Sequence, residues 1–206
     1  MQQAIVVAGA TRNQVDAVRF LSAHSTGSTG VALGRALAQG GVAVHLLGSP
    51  ETLLRGPELQ GEPFGSTRDL MARLERRVRA NPAAAVVLAA AVGDYELAAQ
   101  EAGKIPSGAP TLTLTLTPTP KIADRVRGWG AVGPFWTFKA APPGTPLDRL
   151  EAIASAQRQR TGCDWVFANT LGALGVDVLL VGEQVLHFPH RGEAIAATAR
   201  LLLAAR

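Results

Sequence analysis

Short apolar segments alternate with helical patterns along almost the whole chain, and this alternation limits the fold more than any other feature. Strands are predicted at residues 4–8, 42–47, 86–90, 136–139 and 165–168, and helices at residues 29–39, 67–79, 121–127, 147–160 and 194–203. Apolar strands separated by helices are typical of a parallel sheet that is covered on both faces. Two further apolar segments, 178–181 and 185–188, flank Gly182-Glu183-Gln184 and predict a hairpin near the C-terminus. We therefore expect a three-layer α/β fold with a mostly parallel central sheet and a C-terminal hairpin.

One segment departs from this rhythm. Residues 111–117 read Thr-Leu-Thr-Leu-Thr-Leu-Thr, a strict alternation that predicts a strand with one buried and one polar face. Such a strand needs a neighbour, because an unpaired edge invites association with other chains. The neighbour could be a strand of the same sheet or a strand of a second subunit.

Composition excludes several classes of protein. The 206 residues are 47% hydrophobic and 17% charged, which favours one folded domain over residues 1–206 and argues against disorder. No apolar run reaches the roughly 18 residues that a membrane span needs, and no basic region precedes the first apolar run, so we expect a cytoplasmic protein. The single cysteine, Cys163, excludes a disulfide within the chain and a cysteine-based metal site.

The net charge of +4 comes mostly from arginine, with its densest cluster on the predicted helix 67–79. Leu70, Leu74 and Val78 form the apolar stripe of this helix, so its arginines are expected on a solvated face. Aromatic residues make up only 5% of the chain, which does not favour a nucleic-acid surface. The positive balance fits a small phosphorylated ligand at least as well as a polymer.

The loop after the first strand is the first candidate site. It runs from Gly9 to Gly30 and ends in Ser25-Thr26-Gly27-Ser28-Thr29-Gly30, immediately before the first helical pattern. Glycines and small hydroxyl residues at a helix start leave backbone N–H groups open, and the helix dipole attracts negative charge. We therefore expect an anion site, for phosphate, at this turn.

The segments that follow the other predicted strands carry small or polar residues, and ligands of open α/β sheets bind at these carboxyl ends. Together with the first loop they form an ordered set of motifs: Gly9-Ala10-Thr11-Arg12, Ser25-Thr26-Gly27 with Gly30, Ala90-Ala91-Val92-Gly93-Asp94-Tyr95, Lys104-Ile105, Phe138, and Cys163-Asp164 before Ala168-Asn169. In order and spacing the set resembles the phosphopantothenate–cysteine ligase family over nearly the whole chain.

The resemblance implies a Rossmann-like, homodimeric ligase of coenzyme A biosynthesis. Its members activate 4′-phosphopantothenate with CTP or ATP, Mg²⁺ travels with the nucleotide, and the acyl-nucleotide is then attacked by cysteine. Bacterial members usually carry an N-terminal flavin-dependent decarboxylase; none precedes Met1, so no flavin is expected. The implied partners are these small molecules and a second copy of the chain, not nucleic acid or a membrane.

The resemblance also assigns residues. Gly9, Ser25, Gly27 and Gly30 would line the pocket for phosphopantothenate and triphosphate; Ala90, Ala91 and Asp94 would bind base, ribose or pantetheine amide; Phe138 and Asn169 would contact the ligand. Lys104 would neutralise phosphate charge while the anhydride forms, so Lys104 and Asp94 are the implied catalytic residues. No metal ligand in the protein is implied.

Four positions depart from the family pattern and leave alternatives open. Ala23 stands where the family has an asparagine associated with the acyl-nucleotide, and Ser28, Gln157 and Thr161 stand where it has lysines. The first alternative is a non-catalytic member that binds a phosphorylated acid or nucleotide. The second is an NAD(P)-dependent oxidoreductase, which would need an acidic residue after the second strand, where the chain has Leu47-Gly48-Ser49.

Overall fold

The computed structural model describes residues 2–99 and 103–205. Its strands and helices follow in the order β1 Gln3–Ala8, β2 Arg12–Gln14, β3 Phe20–Ser22, α1 Ser28–Gln39, β4 Ala43–Gly48, α2 Pro50–Arg55, β5 Gly61–Pro63, α3 Thr67–Ala80, β6 Ala85–Leu88, β7 Tyr95–Leu97, β8 Leu116–Pro118, β9 Phe135–Ala141, α4 Leu147–Thr161, β10 Trp165–Thr170, β11 Val176–Val181, β12 Val185–His190 and α5 Arg191–Ala204. None of the helices in the described ranges is both long and apolar enough to cross a membrane.

The central sheet has eight strands in the order β12-β11-β10-β9-β6-β1-β4-β5. The six strands from β10 to β5 are parallel, and β11 and β12 form an antiparallel hairpin at one edge. The α/β class, the mostly parallel sheet and the C-terminal hairpin predicted from the sequence are confirmed. Because β1 has β4 on one side and β6 on the other, the chain reverses its direction of winding at β1, where a crevice opens at the carboxyl edge.

Helices cover both faces of the sheet, as the apolar strands require. On one face, Leu33 and Leu37 of α1 and Leu202 of α5 are fully buried with Val6 of β1. On the other face, residues of α3 and α4, among them Leu74, pack with Val7 of β1. Adjacent residues of β1 thus pack into the apolar layers on opposite faces of the sheet, which is why this strand is apolar throughout.

The start of α3 follows its sequence signal. Ser66 is the N-cap of this helix, and its Oγ accepts a hydrogen bond from the Asp69 N–H (3.2 Å). The exposed face of the helix also agrees with its prediction, because its arginines form ion pairs with acidic neighbours: Arg73 with Asp69, Arg76 and Arg77 with Glu62, and Arg79 with Glu75.

Two sequence predictions need correction. Only the end of the alternating segment is a strand: β8 pairs antiparallel with β7 outside the main sheet, whereas residues 111–115 form no strand and Leu112 is exposed. β7 is only three residues long, so it offers no pairing for the rest of the segment. The helix predicted at 121–127 is instead two 3₁₀ turns, Ile122–Asp124 and Arg127–Trp129; residues 125–126 form a turn between them, and Gly130 with φ 96° ends the second.

Short elements are absent from the sequence prediction. The hairpin of β2 and β3 lies inside the long first loop, and α2, β5 and β7 follow later in the chain. Of these, only α2 has a clear local signal, since Ser49 precedes Pro50 at its first turn.

Candidate functional site

A cleft of about 450 Å³ opens at the carboxyl edge of the sheet. The loop before α1, the segments after β6 and β10, the middle of β9 and the start of α5 enclose it. The cleft brings together seven of the residues predicted from the sequence: Ser25, Gly27, Gly30, Ala90, Ala91, Phe138 and Asn169. Residues from five separate parts of the chain therefore meet where the topology predicts a ligand.

The loop before α1 has its shape because glycine occupies two positions. Gly27 is the N-cap of α1 with φ 71°, and a Cβ there would lie 2.2 Å from Thr52 Oγ1. Gly9 has φ 96°, and a Cβ there would lie 2.5 Å from Ser49 Oγ. An L side chain at either position would be both strained and in collision, so the loop lies directly against the start of α2.

Gly30 sets the position of the helix itself. A Cβ on Gly30 would lie 2.4 Å from the Cβ of Ala8, so the first turn of α1 rests directly on β1. That turn has no side-chain cap of the standard kind and contains no acidic residue; the Ser28 N–H has only a long contact to Thr26 Oγ1, at 3.4 Å. The N–H groups of this turn therefore remain available to an anion in the cleft.

The charge of the cleft also favours a negatively charged ligand. Its lining includes two cations, Lys139 and Arg191, and contains no aspartate or glutamate among the described residues. Phe138 stacks on Phe167 with ring centroids 4.9 Å apart and presents an apolar wall. The cleft is therefore positive at one part of its lining and apolar at another, which suits a phosphorylated organic ligand.

Asn169 is the most informative polar group in the cleft. It is 5% exposed, and its side-chain amide makes no hydrogen bond within residues 2–99 and 103–205. Its amide atoms are accessible from the cleft, where they can donate to and accept from water or a ligand.

The other three predicted site residues lie elsewhere. Gly9 does not line the cleft but fixes the segment that does, since its carbonyl accepts a hydrogen bond from the N–H of the cleft residue Ala91 (2.8 Å). Asp94 is exposed and pairs with Lys121. Lys104 lines a separate depression of about 430 Å³ formed with residues around β7 and β8. Within one chain, Asp94 and Lys104 do not line the cleft.

Asp16 ties the Lys104 loop to the β2–β3 hairpin. Its buried carboxylate accepts hydrogen bonds from the N–H groups of Val18 (2.8 Å), Arg19 (2.8 Å) and Ile105 (3.0 Å), and it pairs with the Arg19 guanidinium. Burial raises the pKa of Asp16, but these hydrogen bonds and the charge of Arg19 together outweigh it and lower the pKa to about 2.

The two α4 positions that differ from the family pattern do not face the cleft. Gln157 Nε2 donates to Thr137 Oγ1 (2.9 Å) and to the Phe138 carbonyl (3.2 Å), and Thr161 Oγ1 donates to the Gln157 carbonyl (2.9 Å). The charged neighbours on α4 turn away as well: Arg158 donates to the Asp164 carbonyl and Arg160 pairs with Asp124. The cations of the cleft come from β9 and α5 instead.

Arg191 is the cleft residue that sequence reasoning missed. Because β12 runs antiparallel to β11, and β11 antiparallel to β10, the end of β12 lies at the same edge as the ends of the parallel strands. The predicted hairpin followed by a helix could therefore have indicated that residue 191 reaches the carboxyl edge. The residue type alone gave no such signal.

A larger depression, of about 670 Å³, lies at the opposite edge of the sheet, where residues before β6, β9 and β10 meet β1 and the end of α5. Trp136 and Trp165, stacked 5.4 Å apart, contribute to its wall. It contains neither the α1 start nor the two cleft cations. This depression is the larger of the two, but the smaller cleft holds the cations and the open helix start and lies at the carboxyl ends of the strands. We therefore take the smaller cleft as the site.

Fold and cleft together define a three-layer α/β protein with a positively charged cleft at its topological switch point. Comparison with known proteins gives the family: the chain belongs to the DNA/pantothenate metabolism flavoprotein C-terminal domain family, whose model matches residues 1–198. It is 35% identical over 185 residues to the coenzyme A biosynthesis bifunctional protein CoaBC of Thermococcus kodakarensis, covering 88% of this chain and 45% of that protein. The CoaBC protein of Mycolicibacterium smegmatis is 32% identical over 178 residues, covering 82% of this chain and 42% of its own. The chain thus spans less than half the length of these relatives.

Solved structures show the same fold. The DNA/pantothenate metabolism flavoprotein from Streptococcus pneumoniae superposes with a TM-score of 0.86 at 23% identity, over 100% of both chains. A Cab2 variant in complex with phosphopantothenate-cysteine superposes with a TM-score of 0.78 at 17% identity, over 98% of this chain and 88% of that one. The expected Rossmann-like architecture is confirmed for the whole described chain.

Proposed function

We propose that this chain is a phosphopantothenate–cysteine ligase domain, which condenses 4′-phosphopantothenate with cysteine at the expense of a nucleoside triphosphate in coenzyme A biosynthesis. The observation that carries the proposal is the cleft: an open helix start, two cations and the accessible amide of Asn169 meet in one cavity, and no carboxylate is among its described lining residues. The similarity to CoaBC proteins of coenzyme A biosynthesis and the phosphopantothenate-cysteine bound in the Cab2 structure support the choice of substrate.

The reaction would use the cleft in two steps. The pantothenate carboxylate attacks the α-phosphorus of the nucleotide, pyrophosphate leaves, and an acyl-nucleotide remains. The cysteine amine then attacks the acyl carbon, the amide forms, and nucleoside monophosphate leaves with the released proton going to water. Neither step needs a protein nucleophile; both need positioning and charge neutralisation, which the α1 amides, Lys139 and Asn169 can supply.

The nucleotide would be CTP or ATP, with Mg²⁺ held by its phosphates. Among the described residues no aspartate or glutamate lines the cleft, so the phosphates themselves would be the ligands of the ion. Bound Mg²⁺ would neutralise charge on the triphosphate. Ala90 and Ala91 have short side chains that let a base or ribose approach the backbone beside them.

We further propose that a homodimer completes the site. Lys104 lies outside the cleft of its own chain, and the neighbouring hairpins expose apolar side chains: Val18, Phe20, Tyr95 and Leu116 are 39% to 59% exposed. Burying them against a second copy would remove them from water and could carry Lys104 to the partner's cleft. Asp94 lies beside β7 and would reach the ligand by the same route.

A single-turnover assay tests the proposal. Protein in excess is mixed with phosphopantothenate and each of the four common nucleoside triphosphates, and acyl-nucleotide and pyrophosphate are quantified by mass spectrometry. We expect both products in equal amounts with at least one nucleotide, and phosphopantothenoylcysteine after cysteine is added. Binding of ligand without either product would instead support the non-catalytic alternative, to which the missing side-chain donor at Ala23 points.

A further inference from the structure

Arg191 occupies a defined position beside the start of α1. It is the first residue of α5, and its Nη2 donates to Thr29 Oγ1 (2.9 Å) while its Nη1 donates to the Leu174 carbonyl (3.2 Å). Its guanidinium carbon lies 5.0 Å from the centroid of the Phe167 ring. Two hydrogen bonds and an aromatic face thus hold the side chain in one orientation before any ligand arrives.

The charge of Arg191 has no counter-ion in the described part of the chain. Other arginines are paired with carboxylates, for example Arg35 with Glu58 and Arg68 with Glu96, whereas Arg191 forms no ion pair there. Burial lowers its pKa, so the surroundings disfavour the charge instead of compensating it. A guanidinium has five N–H donors, and only two are used here.

We propose that Arg191 binds a phosphate group that rests on the first turn of α1. The inference depends on the proposed function, in which phosphorylated substrates enter this cleft, and it names the side chain that recognises them. Thr29 Oγ1 accepts from Arg191, so a phosphate on the neighbouring α1 amides lies within reach of the unused guanidinium donors. A fixed planar fork beside backbone N–H groups matches the geometry of phosphate oxygens.

The phosphate could belong to the nucleotide or to phosphopantothenate, and binding assays on separate ligands distinguish them. Isothermal titration would use inorganic triphosphate, CTP, phosphopantothenate and cytidine as probes with wild type, Arg191→Gln, Arg191→Lys and the matched control Arg200→Gln. Arg200 lies on the same helix and is exposed. We expect Arg191→Gln to lose about tenfold to a hundredfold in affinity for the phosphate-bearing ligand and Arg200→Gln to lose none. Arg191→Lys should recover only part of the loss, because lysine keeps the charge but not the fork.

The pattern across probes identifies the source: loss with triphosphate and CTP assigns the nucleotide, and loss with phosphopantothenate assigns the acid. Unchanged affinity in every arm for folded Arg191→Gln and Arg191→Lys would overturn the inference, as would a wild type that binds none of the phosphate probes. Phosphate binding that depends on Arg191 in a protein that forms no acyl-nucleotide would uphold this inference and refute the proposed ligase activity.

Discussion

Substituting Gly30 by alanine tests whether the close packing of α1 on β1 sets the anion site. The new Cβ would lie 2.4 Å from the Cβ of Ala8, against an ordinary carbon contact of about 3.5–4.0 Å, so the helix would have to move by about 1 Å or more. Alanine gains about 0.8–1.0 kcal/mol in helix propensity, and overpacking costs about 1–3 kcal/mol. We expect a net loss of up to about 2 kcal/mol in the free energy of unfolding.

Two other helical glycines provide matched controls. Nothing lies within 4 Å of a Cβ at Gly192, so Gly192→Ala should keep the propensity gain and stabilise the protein by up to about 1 kcal/mol. At Gly34 the only close contact of the new Cβ is with Leu59 Cδ1, at 2.8 Å, the end of a flexible side chain, while Val44 Cγ1 lies at an ordinary 3.6 Å; the effect should fall between the other two.

Thermal unfolding followed by circular dichroism measures the series. For a chain of this size about 1 kcal/mol shifts Tm by about 2–4 °C, so Gly30→Ala should melt up to about 8 °C below wild type and Gly192→Ala up to about 4 °C above it. The moved helix should also bind inorganic triphosphate about tenfold more weakly, because its amides are displaced. A Gly30→Ala variant with the stability of Gly192→Ala and unchanged affinity would refute the reasoning.

Four further predictions follow from single groups. Asp16→Asn should free the Lys104 loop and speed its proteolysis at neutral pH. Wild type should show the same release as the pH falls from about 4 towards 2. Because the pKa of Asp16 is lowered, its carboxylate contacts are present above this window and are lost within it. His45→Gln should flatten the decline of Tm between pH 7 and 5. Burial first, and then Arg77, lower the pKa of His45, and its buried Nε2 has no hydrogen-bond partner among the described residues. Protonation of His45 below about pH 6.5 therefore favours the unfolded chain. Lys104→Ala should slow acyl-nucleotide formation in the single-turnover assay more than it weakens nucleotide affinity in titration, since the proposed dimer would bring Lys104 to the partner's cleft to neutralise charge that develops as the anhydride forms; an equal loss of affinity would contradict this. Ala23→Asn should speed acyl-nucleotide formation by restoring a hydrogen-bond donor, whose loss typically costs about 10²–10³ in rate, and an unchanged rate would contradict that role.

Long, buried elements of this fold were predictable, and short ones were not. Strands such as β1 and helices such as α3 are specified locally, by continuous apolar segments or by a capped apolar stripe. The predicted strand at 111–117 failed because alternation predicts a buried face but does not guarantee a neighbour long enough to pair with it. The three-residue strands β5 and β7 exist through pairing with partners distant in sequence, which no local pattern records.

The candidate site was predictable as far as topology determines it. Residues at or just beyond the carboxyl ends of parallel strands, such as Asn169 and Ala90, meet at one edge of the sheet because the strands are parallel. Arg191 was missed because its approach to Thr29 depends on the antiparallel return of β12. The packing of Gln157 against β9 was missed for a related reason, since helical spacing does not tell which side of α4 meets the sheet when its apolar stripe is weak.

Determining where a phosphorylated ligand binds tests the central claim most directly. A crystal structure of the wild-type protein with CTP and phosphopantothenate should show phosphate oxygens within hydrogen-bond distance of the N–H groups of residues 28–30 and of the Arg191 guanidinium. Nucleotide bound instead in the depression beside Trp136 and Trp165, with the carboxyl-edge cleft empty, would contradict the account.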